Sequence, residues 1–214
     1  VAVITAVERI RFKRRADIWL DGEKAFSLGL ELIAVKGLRP GRELAAEEAE
    51  ALRSEDERRQ AVEGALRLLS MSPRAEKDLR QRLRRRGLGR DAVEAAIGRM
   101  RELGYLDDAK FAKSYVESRQ SATPRSRRFL AFELGQKGVA KELSEPALEG
   151  ISDEDAAYEA AQRRLSSLRG ADLATFQRRL GLFLAARGFG YGVSRATIER
   201  CWREAQGDEQ GLIG

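Results

Sequence analysis

The chain has no histidine and one cysteine among its 214 residues, and those two shortages remove most enzyme chemistry. Without histidine there is no Ser-His-Asp triad, no Cys-His pair, and no imidazole to complete a zinc or iron site. Cys201 alone forms neither an internal disulfide nor a multi-thiolate metal site. Carboxylate-only metal sites are not excluded, but no acidic constellation marks one. Aromatic residues make up only 7% of the chain, too few around its basic stretches to build a base-stacking platform. No apolar run approaches the roughly 18 to 20 residues that cross a bilayer. Residues 1–15 lack the apolar core of a signal peptide. The expectation is a cytoplasmic protein without membrane contact, cofactor or metal, and not an enzyme.

What is present is a repeat. With Gly87, Gly138 and Gly188 aligned, each glycine has a leucine four residues before it (Leu83, Leu134, Leu184) and another eight before it (Leu79, Leu130, Leu180). A basic residue precedes each glycine (Arg86, Lys137, Arg187) and an apolar one follows (Leu88, Val139, Phe189). Ile97, Leu148 and Ile198 come ten residues later, then Met100, Ile151 and Cys201 at thirteen. The glycines are 51 and 50 residues apart, which is the signature of one supersecondary unit stacked three times. Stacked helical units give long surfaces suited to holding a macromolecule.

Each unit reads as three helices. Ala61, Ala65 and Leu68 in the first, Ala112 and Val116 in the second, and Ala161, Leu165 and Leu168 in the third form the apolar stripe of an opening helix. Ser72-Pro73, Thr123-Pro124 and Asp172 are the expected N-caps of the middle helices, and the aligned glycines their C-terminal stops. Ahead of the repeats, residues 3–28 alternate like a small antiparallel sheet, with Asp21-Gly22 as a hairpin turn. Leu30 to Val35 reads as a short helix and the pattern turns helical from about residue 43. The fold class is therefore mainly α: three tandem three-helix repeats in an elongated, curved array behind an N-terminal β element. Expected boundaries are 1–42 for the β element, 43–104, 105–151 and 152–206 for the repeats, and 207–214 for a frayed tail.

Charge is concentrated. Residues 57–104 hold 13 basic and 7 acidic side chains, a surplus equal to the whole chain's net charge of +6. Within it, Arg80, Arg82, Arg84, Arg85 and Arg86 surround the inward leucines of a helix, and Arg90 extends the cluster. Arg125, Arg127 and Arg128 open the equivalent helix of the second repeat, and Lys137 closes it. Guanidinium forks match phosphate and carboxylate, so these are candidate contacts to a DNA backbone or an acidic protein groove. The competing reading is a solvated helix face in an arginine-rich chain. Gly188-Phe189-Gly190-Tyr191-Gly192 lacks the lysine and hydroxyl of a phosphate loop and reads as a connector. Asp107-Asp108 reads as a helix cap, Cys201 as a small buried hydrophobe, and Trp19 and Trp202 as core or interface residues.

The stretch Gly104-Tyr105-Leu106-Asp107-Asp108, followed by Phe111-Ala112, Tyr115-Val116 and Arg119, resembles the hallmark of the RecX family. Arg127-Arg128 through Gly138 resembles that family's basic–apolar helix, and Asp21 through Ser27 its N-terminal hairpin. The resemblance spans about residues 4 to 205 and is weakest in the third repeat. It implies a cytosolic bacterial regulator that binds the RecA recombinase and its nucleoprotein filament; the chain itself is expected to be a monomer. It further implies restraint of filament extension, with lower ATPase, strand-exchange and co-protease activity. The alternative is a non-specific DNA-binding protein that competes with RecA for DNA.

Overall fold

The structure, a computed structural model, describes residues 1–211. It divides into two units: Val1–Pro73 with Leu79–Leu106, and Arg74–Asp78 with the chain from Asp107 onward. In the first unit, β1 (Ala2–Arg9), β2 (Arg15–Leu20), β3 (Glu23–Gly29) and β4 (Glu43–Leu44) form an antiparallel sheet in the order β3-β2-β1-β4. The expected hairpin is present: Asp21 at φ 51 and Gly22 at φ 88 supply the two left-handed residues that match the twist of β2 and β3. The two-residue β4 falls where the helical pattern was expected to begin, and is too short to leave a periodic signal.

Helix α1 (Leu30–Val35) leads to α2 (Ala46–Met71), a single helix of 26 residues. No proline interrupts its Ala- and Glu-rich sequence, and its one glycine, Gly64, is buried mid-helix beside Leu83, so the expected lead-in and the opening helix of the first repeat are continuous. Its early residues Ala49 and Leu52 close the sheet core over Ile4, Ile18, Leu28 and Leu32. Its later residues Ala61, Ala65 and Leu68 pack with α3 (Glu76–Arg84) and α4 (Arg90–Glu102) through Leu79, Leu83, Val93, Ile97 and Met100. One helix thus serves two cores. Asp56, buried at 4% exposure, stands where they meet. Its carboxylate accepts from Arg15 Nη2 at 2.7 Å, Gln60 Nε2 at 2.7 Å and the Gly29 N–H at 2.8 Å. Strand β2, the end of β3 and α2 are pinned to one buried charge, and every acceptor direction used is filled.

The second unit holds α5 (Asp108–Ala122), α6 (Arg127–Lys137), α7 (Lys141–Leu148), α8 (Asp153–Leu165) with a 3₁₀ turn at Ser166–Leu168, α9 (Leu173–Ala185) and α10 (Tyr191–Gly211). The aligned leucines behave identically, since Leu79, Leu83, Leu130, Leu134, Leu180 and Leu184 are all fully buried. Ile151 departs from the pattern. Gly150, at φ 76, follows the end of α7, so Ile151 is half-buried beyond the helix while Met100 and Cys201 are buried within theirs. Burial raises the Cys201 thiol to about 11, as a small inert hydrophobe requires. Trp202 packs edge-on to Phe176 in the third core. Helix α10 runs through Gly211, so the tail expected from residue 207 begins inside a helix, and residues 212–214 lie outside the described residues.

The N-caps differ from expectation in an informative way. Ser72-Pro73 and Thr123-Pro124 lie ahead of the helices, and Ser126 caps α6 by accepting from the Phe129 N–H at 3.1 Å. The Thr123 hydroxyl is buried without a partner. Asp172 caps α9 as expected, accepting from the Thr175 N–H at 2.9 Å. The first N–H of α3, at Glu76, donates to Asp108 at 2.8 Å, and the first N–H of α6, at Arg127, donates to Asp153 at 2.7 Å. Each donor opens a middle helix and each acceptor opens the next repeat. The acceptors place a carboxylate where the middle helix needs one.

The aligned glycines complete this junction. Gly138 ends α6 at φ 88, and a Cβ there would lie 2.4 Å from Lys77 at the start of α3. Gly188 follows α9 at φ 85, and a Cβ there would lie 2.6 Å from the Ser126 hydroxyl at the start of α6. The Ser126 N–H also donates to the Arg187 carbonyl at 3.1 Å. The C-terminal end of one middle helix therefore meets the N-terminal end of the preceding one, setting opposite ends of the helix dipoles together. Gly87, with no repeat before it, has φ 83 but nothing within 4 Å.

The missing histidines predict an unusual pH profile. Hydrogen bonds and nearby cations lower the carboxyl pKa values of Asp17, Glu55, Glu94 and Glu204, and backbone N–H donors lower those of Asp107 and Asp172. A depressed folded-state value adds stability above the unfolded value, near 4, and that stability is lost as pH falls through the folded value. With no imidazole to titrate, the thermal midpoint should be flat from about pH 5.5 to 7.5 and fall only below about pH 4. A slope of several degrees across the neutral range, measured by circular dichroism melts, would contradict this.

Candidate partner-binding surface

Burial of Leu79 and Leu83 turns the arginines of α3 outward, but they do not form one uniform patch. Arg80 is held bidentately by Glu94 of α4, with Nε at 2.8 Å and Nη2 at 3.0 Å. Arg84 approaches the same carboxylate at 3.8 Å. The hydrogen bond from Arg80, with the fields of Arg84 and Arg90, holds the Glu94 carboxyl below its ordinary range. Arg82 is exposed on the same helix. Arg85, Arg86 and Arg90, around the turn after α3, are also exposed, and among the described residues none has a carboxylate within ion-pair distance. The open positive charge is therefore at the C-terminal end of α3 and the loop beyond it.

The equivalent set in the second repeat divides three ways. Arg125 is half-buried, its guanidinium 4.4 Å from the centre of the Phe129 ring and 3.7 Å from Glu133, and its Nε is buried without a partner. Arg127 is paired with Glu145 of α7 at 2.7 Å. Arg128 is exposed and makes no ion pair among the described residues. Lys137 lies 4.9 Å above the Tyr115 ring. Arg125 and Lys137 thus act largely within the fold.

Most of the family-like stretch is likewise structural. Gly104 turns the chain at φ 72, Leu106 fills the first core, and Ala112 and Val116 fill the second. Asp107 caps its own helix through the Lys110 N–H at 3.0 Å, while Asp108 caps α3. Phe111 stacks on Tyr115 at 5.9 Å between centroids, and Arg119 donates to the Tyr115 hydroxyl at 2.9 Å and to Glu133 at 3.2 Å. Burial raises the Tyr115 phenol above its usual range, so it stays protonated at neutral pH. Tyr105 is the exception at 60% exposure, an aromatic ring open to a partner.

Three features escaped the sequence reading. In the second unit, the Arg187 guanidinium lies 3.6 Å from the centre of the Phe183 ring, and Arg164 lies 5.7 Å from the same ring. Burial, together with Arg125 and Arg164, lowers the Arg187 pKa, the mark of a cation held among its own kind. Lys77, Arg128 and Arg178 occupy one position of the repeat and are all exposed, a basic residue in every repeat. One turn later, the second and third repeats expose Phe132 at 61% and Leu182 at 65%. The repeat alignment held these two signals, once the aligned leucines were set aside as core. Among the described residues there is no cluster of acidic or thiol groups able to hold a metal, and no helix long and apolar enough to cross a membrane.

Comparison with known proteins places this arrangement. Residues 61–100, 107–148 and 152–198 match the models of the first, second and third three-helix domains of RecX. The chain is 38% identical over 147 residues to the regulatory protein RecX of Thermobifida fusca, covering 67% of this chain and 79% of that one. Against RecX of Clostridium botulinum the identity is 29% over 205 residues, covering 93% and 96%. A crystal structure of a regulatory protein RecX superposes with a TM-score of 0.62 at 23% identity, over 93% of this chain and all of that one. A second, from Lactobacillus salivarius, superposes with a TM-score of 0.58 at 21% identity, over 68% of this chain.

Proposed function

The chain belongs to the RecX family of regulatory proteins, and from that premise we propose that it binds the RecA recombinase and its nucleoprotein filament and restrains filament extension. Lower ATP hydrolysis, strand exchange and co-protease activity follow from a shorter filament, without any chemistry performed by this chain. The observation that carries the reading is where the open charge falls. Arg85, Arg86 and Arg90 are left without carboxylate partners at the exposed end of α3, while Arg80 beside them is tied back to Glu94. Cations held near a rigid helix end at little ordering cost suit a partner that offers carboxylates or phosphates.

Changing Arg85 and Arg90 together to Glu should weaken binding to a RecA–DNA filament about tenfold. Both lie outside paired positions, and an acidic residue at the first position of α4 suits that helix end, so helix content should be unchanged. Unchanged filament binding in a co-sedimentation assay would remove this surface from the interface. The same unpaired arginines also favour a second reading, a protein that competes with RecA for DNA. That reading requires inhibition to track occupancy of naked DNA and to collapse with salt.

A further inference from the structure

The tip of the β1–β2 hairpin has a residue the fold does not explain. Phe12 sits at φ 61, a left-handed conformation in which a bulky side chain is an outlier, and its ring is 93% exposed. Glycine or asparagine would make the same turn without strain and without presenting an aromatic ring to water. The Arg11 guanidinium lies 4.8 Å from the ring centre. Strained, exposed aromatics held in place by a cation point to use rather than to packing.

Phe12 stands at the edge of a groove of about 1130 Å³ that runs between the hairpin, α1 and α2, wholly within the first unit. That volume exceeds the roughly 300–1,000 Å³ of small-molecule pockets. Several cations lining it are already neutralised: Arg14 by Glu31, Arg15 by Asp56, and Arg59 by Glu55. Lys13, Arg58, Arg67 and Arg86 also line it, and among the described residues none of these four has an ion-pair partner. Glu63 is the one lining carboxylate left to oppose them. The groove therefore has surplus positive charge along its walls and an open aromatic face at its mouth.

We propose that this groove holds single-stranded nucleic acid, with phosphates along Lys13, Arg58, Arg67 and Arg86 and an unstacked base on Phe12. Cations that follow a backbone, together with an aromatic face that accepts any base, are what sequence-tolerant single-strand binding uses. A duplex offers the same phosphates but keeps its bases stacked, so Phe12 makes the site selective for single strands. An acidic protein segment would satisfy the cations and leave the ring without purpose. The groove shares Arg86 with the filament surface proposed above, but the variants that test the two sites have no residue in common and this test needs no recombinase, so either can fail alone.

The test is fluorescence anisotropy of the full chain with a labelled oligothymidylate of about 16 nucleotides, as long as the largest sites of single-strand-binding barrel domains. Phe12→Asn keeps a residue that tolerates the left-handed turn and removes the ring. It should weaken binding about fivefold to a hundredfold, and should change binding to a duplex of equal length less than threefold. Lys13→Glu with Arg67→Glu should weaken both ligands and lower the single-strand salt slope by about 1.4, for two lost phosphate contacts. Absence of oligomer binding by the unaltered chain would overturn the site, as would Phe12→Asn binding as tightly as the unaltered chain. So would an equal loss by the variants on polyglutamate, which would assign the groove to an acidic protein.

Discussion

Asp56→Ala should separate the N-terminal sheet from the first repeat, at a cost of about 3 to 5 kcal/mol. The substitution removes the carboxylate that accepts from Arg15, Gln60 and the Gly29 N–H, and leaves those donors facing a cavity in a part-buried site. Arg15 would keep only the Ser27 carbonyl, which its Nη2 meets at 2.6 Å. Because α2 runs unbroken from one core to the other, the loss should spread from β2 and β3 into the first half of α2. Asp56→Asn keeps the shape and one acceptor oxygen, so it should recover part of the loss but not the charge-assisted pair with Arg15. Hydrogen exchange resolves the outcome by region: amides of β2, β3 and residues 46–56 should lose protection while those around Leu180 and Leu184 keep it. Uniform protection in Asp56→Ala would show that the buried charge is not what ties the sheet down.

The second large effect tests the head-to-tail junctions between repeats. Gly87, Gly138 and Gly188 share a left-handed conformation, at φ 83, 88 and 85, so alanine at any of them costs about 1 to 2 kcal/mol from the backbone alone. At Gly138 the added methyl would also meet Cβ, Cγ and Cδ of Lys77 at 2.4 to 2.8 Å, and at Gly188 it would meet Phe129 at 2.7 Å. The contacts with Cβ of Lys77 at 2.4 Å and of Phe129 at 2.7 Å are with the roots of side chains, which cannot swing aside, and overpacking of this kind adds about 1 to 3 kcal/mol. Gly138→Ala and Gly188→Ala should therefore lose about twice the stability lost by Gly87→Ala. Denaturant melts of the three variants give the comparison directly. Equal losses at all three sites would mean that the middle helices do not bear on one another.

The parts of the fold that were legible in sequence are those set by short-range periodicity. The paired leucines before each glycine form one helical face in every repeat, and all six are buried. Asp21-Gly22 was legible because few residue pairs accept two consecutive left-handed conformations. The junctions were not, because they join distant residues. Asp108 reaches back 32 positions to Glu76, and Asp153 reaches back 26 to Arg127. A helix-start aspartate looks the same whether it caps its own helix, as Asp107 does, or another. Asp56 was invisible for a related reason, since it sits in a polar stretch that reads as solvated until Arg15, 41 residues earlier, is brought beside it.

The candidate surface was legible in outline and not in detail. A run of arginines fixes where positive charge lies along the chain, but not which side chains are already engaged. That depends on Glu94, Glu133 and Glu145, which stand on other helices or on another turn. The basic hairpin tip from Arg9 to Arg15 was hidden by averaging, because acidic residues elsewhere in positions 1–56 bring that segment to a net charge of −1. Phe12 stands out only once its backbone angle and exposure are known.

The most direct test of the regulatory role is RecA's ATP hydrolysis on single-stranded DNA, titrated with this chain at fixed salt. The predicted result is inhibition that is well advanced below one molecule per RecA subunit, as restraint of a growing filament requires, and that weakens in the Arg85→Glu/Arg90→Glu variant. Unchanged hydrolysis at every ratio would contradict it. So would inhibition that begins only when the DNA itself is saturated.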